Sequence, residues 1–345
     1  MHALLVTNDE RVIQEFKKIV AVTQTQLVIT DLPSDSQIAL AYRVFVAQDM
    51  ETIRITHNDI VFVVVGATDS KTWQSALQLN ANQVATIPDS RDWLIANLTT
   101  PSSIKGLCVG VIPAVGGAGA SILASGLSFH ARQLFSEVVL VDFDFDSAGL
   151  DLIYGLEGQP GMRWHDFEAL TGAISSKDIF RSLPNRDGVG LLTHGTVQRP
   201  PESLPVRQIL EQLHRGCELV VADLPRFRRQ SHIVDVLENC DIALVVTPAT
   251  VRGITTTKQL LSELNDQVST IELVVRKVPG SNLDPLNIAE MLETPLAATL
   301  NTDTRIVEQV EQGFGMAGIH LGGFTRSMNS LAHRMANILE YSNAA

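Results

Sequence analysis

Short apolar runs alternate along this chain with segments whose apolar residues recur every three or four positions. In the first hundred residues the runs are HALLVT, RVFVAQ, IVFVVVG and QVATIP, rich in β-branched side chains, while DERVIQEFKKIV and KTWQSALQLN between them carry helical spacing. Beyond residue 105 the same order resumes on a larger scale. GLCVGVI (106–112), EVVLVDF (137–143), GVGLLT (188–193), CELVVADL (217–224), DIALVVT (241–247) and TIELVVRKV (270–278) read as strands. Most are nearly continuous apolar runs, as expected of strands buried on both faces. SILASGLSFHARQLF, PVRQILEQLHRG and VRGITTTKQLLSELN read as helices. Alternation of this kind predicts an α/β protein of parallel, doubly wound sheets, and such sheets bind ligands at the carboxyl ends of their strands.

The polar stretch NLTTPSSIKG (97–106), interrupted by Pro101, breaks the pattern. It predicts a small domain over 1–98, a linker over 99–105 and a larger domain over 106–345. At the far end TRSMNSLAHRMANILEY puts Met328, Leu331, Met335 and Ile338 on one helical face. The default for such a stripe is packing on the protein's own sheet. Its basic flank of Arg326, His333 and Arg334 also suits a membrane surface, a weaker expectation.

A chain of 345 residues suits two domains, and its 45% hydrophobic content with few aromatics describes an ordinary folded protein. The net charge of −12 is spread thinly, which argues against nucleic acid as a partner. No apolar run approaches the roughly 20 residues of a membrane span, and MHALLVTNDE lacks the order of a signal peptide, so the expected setting is the cytoplasm. Cys108, Cys217 and Cys240 lie in or beside apolar segments without metal-ligand spacing and read as reduced core thiols.

Chemistry concentrates at three strand ends. The first is followed by Val115-Gly116-Gly117-Ala118-Gly119-Ala120-Ser121. Its glycines let successive N–H groups curl into an anion nest at a helix N-terminus, and the Ser121 hydroxyl is placed to reach a magnesium ion. Glycines also make plain tight turns, so the loop alone is weak evidence. The second end is VDFDFDSAGLDLIYGLE, where Asp142, Asp144 and Asp146 alternate and Asp151 follows. Clustered carboxylates are tolerated where a cation or donor needs them, or where the loop is simply solvated. The third is VVADLPRFRR, in which Asp223 ends an apolar run and Pro225 stops the strand. Packing does not account for all three together.

The order of glycine loop, DFD, LDLIYG and VVADLP resembles the MinD/ParA family of deviant Walker-type ATPases, and within it the CpaE-like branch that includes septum site-determining proteins. GMRWHDFEAL (161–170), LPNRDGVGLL (183–192) and the arginine of ADLPR extend the likeness over most of 105–340. The resemblance implies a P-loop NTPase-like domain. Gly116, Gly117, Ala118, Gly119, Ala120 and Ser121 would bind nucleotide, Ser121 would ligate magnesium, and Asp142 and Asp223 would hold its water shell. Asp144 would orient the attacking water as the catalytic residue, 223–229 would form the second switch, and the backbone of 276–279 would lie near adenine.

Family ATPases carry lysine at both ends of the loop, where this chain has Val115 and Ala120. A charge-assisted hydrogen bond contributes about 1.5–3 kcal/mol, so losing two weakens triphosphate binding by about two to four orders of magnitude. The cofactors expected are therefore ATP and magnesium, weakly bound, with negligible hydrolysis. Arg226, Arg228, Arg229 and Arg252 are the candidates for a substitute cation, although a solvated or partner-binding role suits them better.

The first hundred residues resemble the receiver-like module of CpaE-type proteins. A working receiver holds magnesium with acids at the end of its first strand, where this chain reads Thr7-Asn8-Asp9, and Asp49 stands at the acceptor position. No lysine appears near VATIPDS, so a pseudo-receiver used for docking is expected. The function implied is a spatial regulator of septum placement or of pilus or secretion machinery. It would act mainly through protein partners in cell division or those machines, with a homodimer as a further possibility. A slow ATPase cycling between monomer and ATP-sandwiched dimer is the alternative. A small-molecule enzyme is disfavoured for want of a nucleophile-and-base pair.

Overall fold

The computed structural model describes residues 2–23, 25–50, 53–57, 59–99, 106–168, 176–195, 206–226, 231–265, 267–312, 315, 316, 319 and 322–344. The chain divides into two compact units, Met1–Ile104 and Lys105–Ala345.

In the first unit the elements are β1 (His2–Val6), α1 (Glu10–Thr23), β2 (Leu27–Thr30), α2 (Asp35–Leu40), β3 (Ala41–Ala47), β4 (Ile60–Val65), α3 (Ser70–Gln78), β5 (Gln83–Ile87) and α4 (Arg91–Thr99). The strands pair in parallel in the order β2-β1-β3-β4-β5. Successive side chains of a strand point to opposite faces. Leu5, Phe45 and Val63 therefore join Phe16 of α1 in one core, while Leu4, Val44 and Phe62 meet Ala76 and Leu79 in the other. Between β3 and β4 a single 3-10 turn, Gln48–Met50, stands where alternation would place a helix.

In the second unit they are β6 (Leu107–Pro113), α5 (Ala120–Ala131), β7 (Val138–Asp142), α6 (Leu150–Tyr154), α7 (Trp164–Glu168), α8 (Ser176–Ser182), β8 (Asn185–Arg186) and β9 (Val189–Leu192). There follow α9 (Val206–Gly216), β10 (Leu219–Asp223), α10 (Ser231–Asn239), β11 (Ile242–Pro248), α11 (Val251–Leu264), β12 (Ile271–Lys277), α12 (Pro285–Met291), β13 (Leu296–Asn301), α13 (Thr304–Glu311) and α14 (Gly322–Ala344). The sheet runs β13-β12-β11-β6-β10-β7-β9-β8, parallel except for the β8–β9 pair. Its central strands β7, β10 and β11 are buried at every position, as their unbroken apolar runs require. The strands that the apolar pattern did not announce, β2, β8 and β13, all lie at sheet edges. There partial burial relaxes the demand for apolar residues.

Two apolar layers cover the large sheet, and the one on the α5 side also takes in α14. Met328, Leu331, Ala332 and Met335 are fully buried there, and Ile338 packs partly against the same core. The stripe that a membrane would need is thus occupied by α5. Of its basic flank, Arg334 is paired with the buried Glu272, its Nε donating at 2.7 Å, whereas Arg326 and His333 are exposed. Among the described residues no helix is long and apolar enough to cross a membrane. All three cysteines are buried free thiols, with Cys108 and Cys240 Sγ atoms 3.8 Å apart.

The α5–α14 contact depends on Gly126. A Cβ there would stand 2.5 Å from Phe324 Cζ and 3.0 Å from Met328 Sδ. Gly126→Val is expected to destabilise the fold by about 1–3 kcal/mol through overpacking, seen as a lower Tm in thermal melts. An unchanged Tm would contradict the packing described.

Candidate functional site

Strand register alone brings two carboxylates together. Asp142 closes β7, Asp223 closes β10, and the parallel pairing sets them directly opposite each other. Alternation puts Asp142 on the face of Val138 and Leu140, and Asp223 on that of Leu219 and Val221, the face that packs on α5. That helix begins where the glycine loop ends. Gly117 and Gly119 have φ of 70° and 97°, a region that side-chain-bearing residues rarely adopt, and Gly119 caps α5 without any side-chain hydrogen bond. The first N–H groups of α5 are therefore available to an anion.

The Ser121 hydroxyl, in the first turn of α5, faces the Asp223 carboxyl and acts to lower it. Asp223 is buried, and its Oδ1 has no hydrogen-bond partner. Asp142, also buried, is better satisfied: Oδ1 accepts from the Asp144 N–H and Oδ2 from the Leu150 N–H, both at 3.0 Å. Burial pushes the Asp142 carboxyl up to about 7 against those two hydrogen bonds. Asp223 is raised too, first by burial and then by the facing Asp142. Half-buried Asp144 is raised by burial, with nearby His194 pulling the other way.

The segment after Asp142 is tied down by residues of the GMRWHDF stretch. Trp164 Nε1 donates to the Asp142 carbonyl at 2.8 Å and its ring lies 5.3 Å from Phe143. Arg163 Nη2 donates to Asp151 Oδ1 at 2.9 Å, and Thr193 donates to the other oxygen of Asp151. Asp151 is thus neutralised in place by a salt bridge.

Magnesium fits this set in part. The Ser121 hydroxyl and the partnerless Asp223 oxygen are hard donors of the type Mg²⁺ takes directly or through water. Among the described residues no group of three or more His, Cys, Asp or Glu gathers as a metal site. A cation here would therefore complete its shell with phosphate and water, and would supply the charge that offsets the two carboxylates.

Where the resemblance leads one to expect lysine, Ala120 is buried and Val115 packs partly against the core. Of the substitute cations the sequence offered, Arg226 and Arg252 are exposed, and Arg228 and Arg229 lie outside the described residues. Two residues near the site were not anticipated in these roles. Arg276, from the end of β12, donates through Nη2 to the Gly117 carbonyl at 3.1 Å. His194, just beyond β9, is buried with its Nε2 3.7 Å from Asp142 Oδ2. Both stand one or two residues from a strand's carboxyl end, a signal that puts them at the ligand-binding end of the sheet without saying what they face.

In the first unit Asp49 lies in the 3-10 turn after β3. Its Oδ1 accepts from the Thr7 hydroxyl at 2.7 Å and its Oδ2 from the Asn8 N–H at 2.6 Å. Asp9, which would be the metal-holding acid, is paired with Arg11.

Residues 6–105 match the family described as Rv3660c-like, CheY-like N-terminal domain. The uncharacterized protein Rv3660c of Mycobacterium tuberculosis (strain ATCC 25618 / H37Rv) is 29% identical over 266 residues, 75% of this chain and 74% of its own. Among solved structures, the septum site-determining protein MinD complexed with Mg-ADP from Pyrococcus horikoshii OT3 is similar at a TM-score of 0.55 and 17% identity. The match covers 68% of this chain and 98% of that one. A ParA family ATPase from Chlorobium tepidum TLS matches at 0.54 and 16%, over 66% and 98%. The second unit has the MinD/ParA P-loop NTPase-like fold. The first is CheY-like. In the MinD/ParA-like unit the glycine loop, Ser121, Asp142 and Asp223 converge on one edge of the sheet, at the carboxyl ends of β6, β7 and β10.

Two outcomes follow from these geometries. The folded pKa of Asp142 lies above its ordinary carboxylate value, so the folded state holds more protons than the unfolded one. The stability this contributes is full below about pH 4 and is lost as pH rises through about 7. Asp223→Asn removes the facing charge and should raise the Tm in EDTA at pH 8 by about 2–4 °C, about 1 kcal/mol, with a smaller gain at pH 5. Melts at both pH values check this. With both Asp49 oxygens held by hydrogen bonds, acetyl phosphate and magnesium should leave the intact mass unchanged; an added phosphate would count against a docking-only receiver.

Proposed function

We propose that this chain is a MinD/ParA-like spatial regulator of the CpaE-like kind. It pairs a pseudo-receiver with a degenerate nucleotide pocket and acts mainly by binding protein partners. The partners would belong to septum placement or to pilus or secretion machinery in the cytoplasm, and the chain could pair with a second copy of itself. One observation supports the reading: the uncapped start of α5 and the oxygens of Ser121 and Asp223 lie together, while valine and alanine stand at 115 and 120, where the resemblance expects lysine. Such a pocket retains the N–H groups that receive phosphate and loses the ammonium groups that neutralise it. Binding of Mg-ATP survives weakly, and stabilisation of the charge that develops in phosphoryl transfer is largely gone. The Mg-ADP bound to the Pyrococcus MinD structure supports nucleotide as the ligand class.

A slow ATPase of the same fold is the second reading, favoured by Asp144. This carboxylate stands two residues beyond Asp142, half-buried, with its backbone N–H anchored on Asp142.

Titration with a fluorescent ATP analogue plus magnesium, alongside phosphate release, separates the two. Saturation only in the high-micromolar to millimolar range without turnover is expected. Micromolar binding with turnover that Asp144→Ala abolishes would replace the first reading with the second.

A further inference from the structure

The glycine loop lacks lysine, yet a cation lies against it. Arg276 leaves the end of β12 and crosses the loop. Its Nη2 donates to the Gly117 carbonyl at 3.1 Å, its Nη1 lies 3.4 Å from the Thr302 hydroxyl, and its Cδ would be 3.8 Å from a Cβ on Gly119. Its Nε is closed off from solvent without a hydrogen-bond partner. A guanidinium has five N–H donors, and these two contacts engage two of them. The remaining donors are held beside the residues whose N–H groups form the nest, without a protein acceptor among the described residues. Thr302 is itself fixed, donating to the Lys277 carbonyl at 2.6 Å. The arginine is thus supported from both sides, on the loop and on the residue that follows β13.

We propose that Arg276 is the phosphate-binding cation of this pocket, supplying to the polyphosphate of a nucleotide the charge that the loop itself no longer carries. The proposal rests on the reading of the site as a nucleotide pocket. A guanidinium suits the task because it stays charged at any working pH and its planar fork can hold a loop carbonyl with one N–H while offering others to phosphate oxygens. The resting contact with Gly117 keeps the charge at the loop, so that an arriving phosphate need not recruit it from solvent. Of the arginines after Asp223, Arg226 is the described one, and it is exposed with no such contact.

The test compares Mg-ATP affinity of the full-length wild type, Arg276→Gln and Arg276→Lys at low and moderate ionic strength, with the ligand-free Tm of each. Glutamine keeps an N–H for the Gly117 carbonyl and removes the charge. It should weaken binding by about 10- to 100-fold and flatten the salt dependence, with the ligand-free Tm close to wild type. Lysine should recover part of the affinity and keep the wild-type salt dependence, and it decides the matter alone if the glutamine variant melts early. Wild-type affinity and salt dependence in Arg276→Gln, or a lysine variant whose salt dependence is lost, would overturn the proposal while leaving the nucleotide pocket standing. A wild type that shows no saturable binding would remove the pocket reading, and this proposal with it.

Discussion

Everything at the site depends on a pair of buried carboxylates that strand register forces together. Asp142 and Asp223 end adjacent parallel strands at the same level and on the same face, so neither can leave the other without breaking the central sheet. In water two such groups would both ionise and drift apart. Here burial raises both, with Asp144 and Asp151 adding to it at Asp142 and Asp142 adding to it at Asp223, and ionising the pair fully requires a cation or a strong donor. The Ser121 hydroxyl is the donor that the loop side supplies. The sheet thus builds in a demand for positive charge, placed where the glycine loop opens.

That demand explains why the surroundings are so firmly fixed. The Asp142 oxygens accept two backbone N–H groups, and its carbonyl is held by Trp164. Asp151, a third acid within electrostatic reach, is neutralised by Arg163 and capped by Thr193. Each contact removes a source of repulsion or a degree of freedom near the pair. The residues responsible come from just beyond β9 and from the segments around α6 and α7. The sequence motifs that flank the acids are therefore structural supports as much as family marks.

The long, uniformly buried strands were legible in the chain because burial on both faces leaves no room for polar residues. So were α1, α3, α9 and α11, whose apolar spacing is regular, and α5, which is apolar and buried on nearly every face. The edge strands β2 and β13 were not, since half-burial permits LVIT and LAATLN to pass as loop. The helices α12 and α13 are too short for periodicity to stand out. At the site, the loop and both strand-end aspartates could be named because each ends an apolar run. Arg276 could not be given its place in that way. Its position opposite the loop arises from sheet order, β12 lying two strands from β6 with β11 between, and no local pattern encodes sheet order.

A nucleotide-driven switch must move between two arrangements of comparable stability, and the contacts around Asp142 bear on how easily this chain could do so. The segment from Asp142 to Asp151 is held by a buried tryptophan, a paired arginine and three further hydrogen bonds to carboxylate oxygens. A nucleotide shifts such an equilibrium only by the difference in its affinity for the two states, and on the proposed reading, with Val115 and Ala120 where lysines are expected, that difference shrinks. Under the proposed reading, fixed acids and a weakened grip on phosphate point the same way, toward a surface whose shape persists through nucleotide exchange. Partner recognition on a persistent surface needs only that shape, whereas a cycling motor needs the strong, state-dependent phosphate contacts that Val115 and Ala120 cannot make.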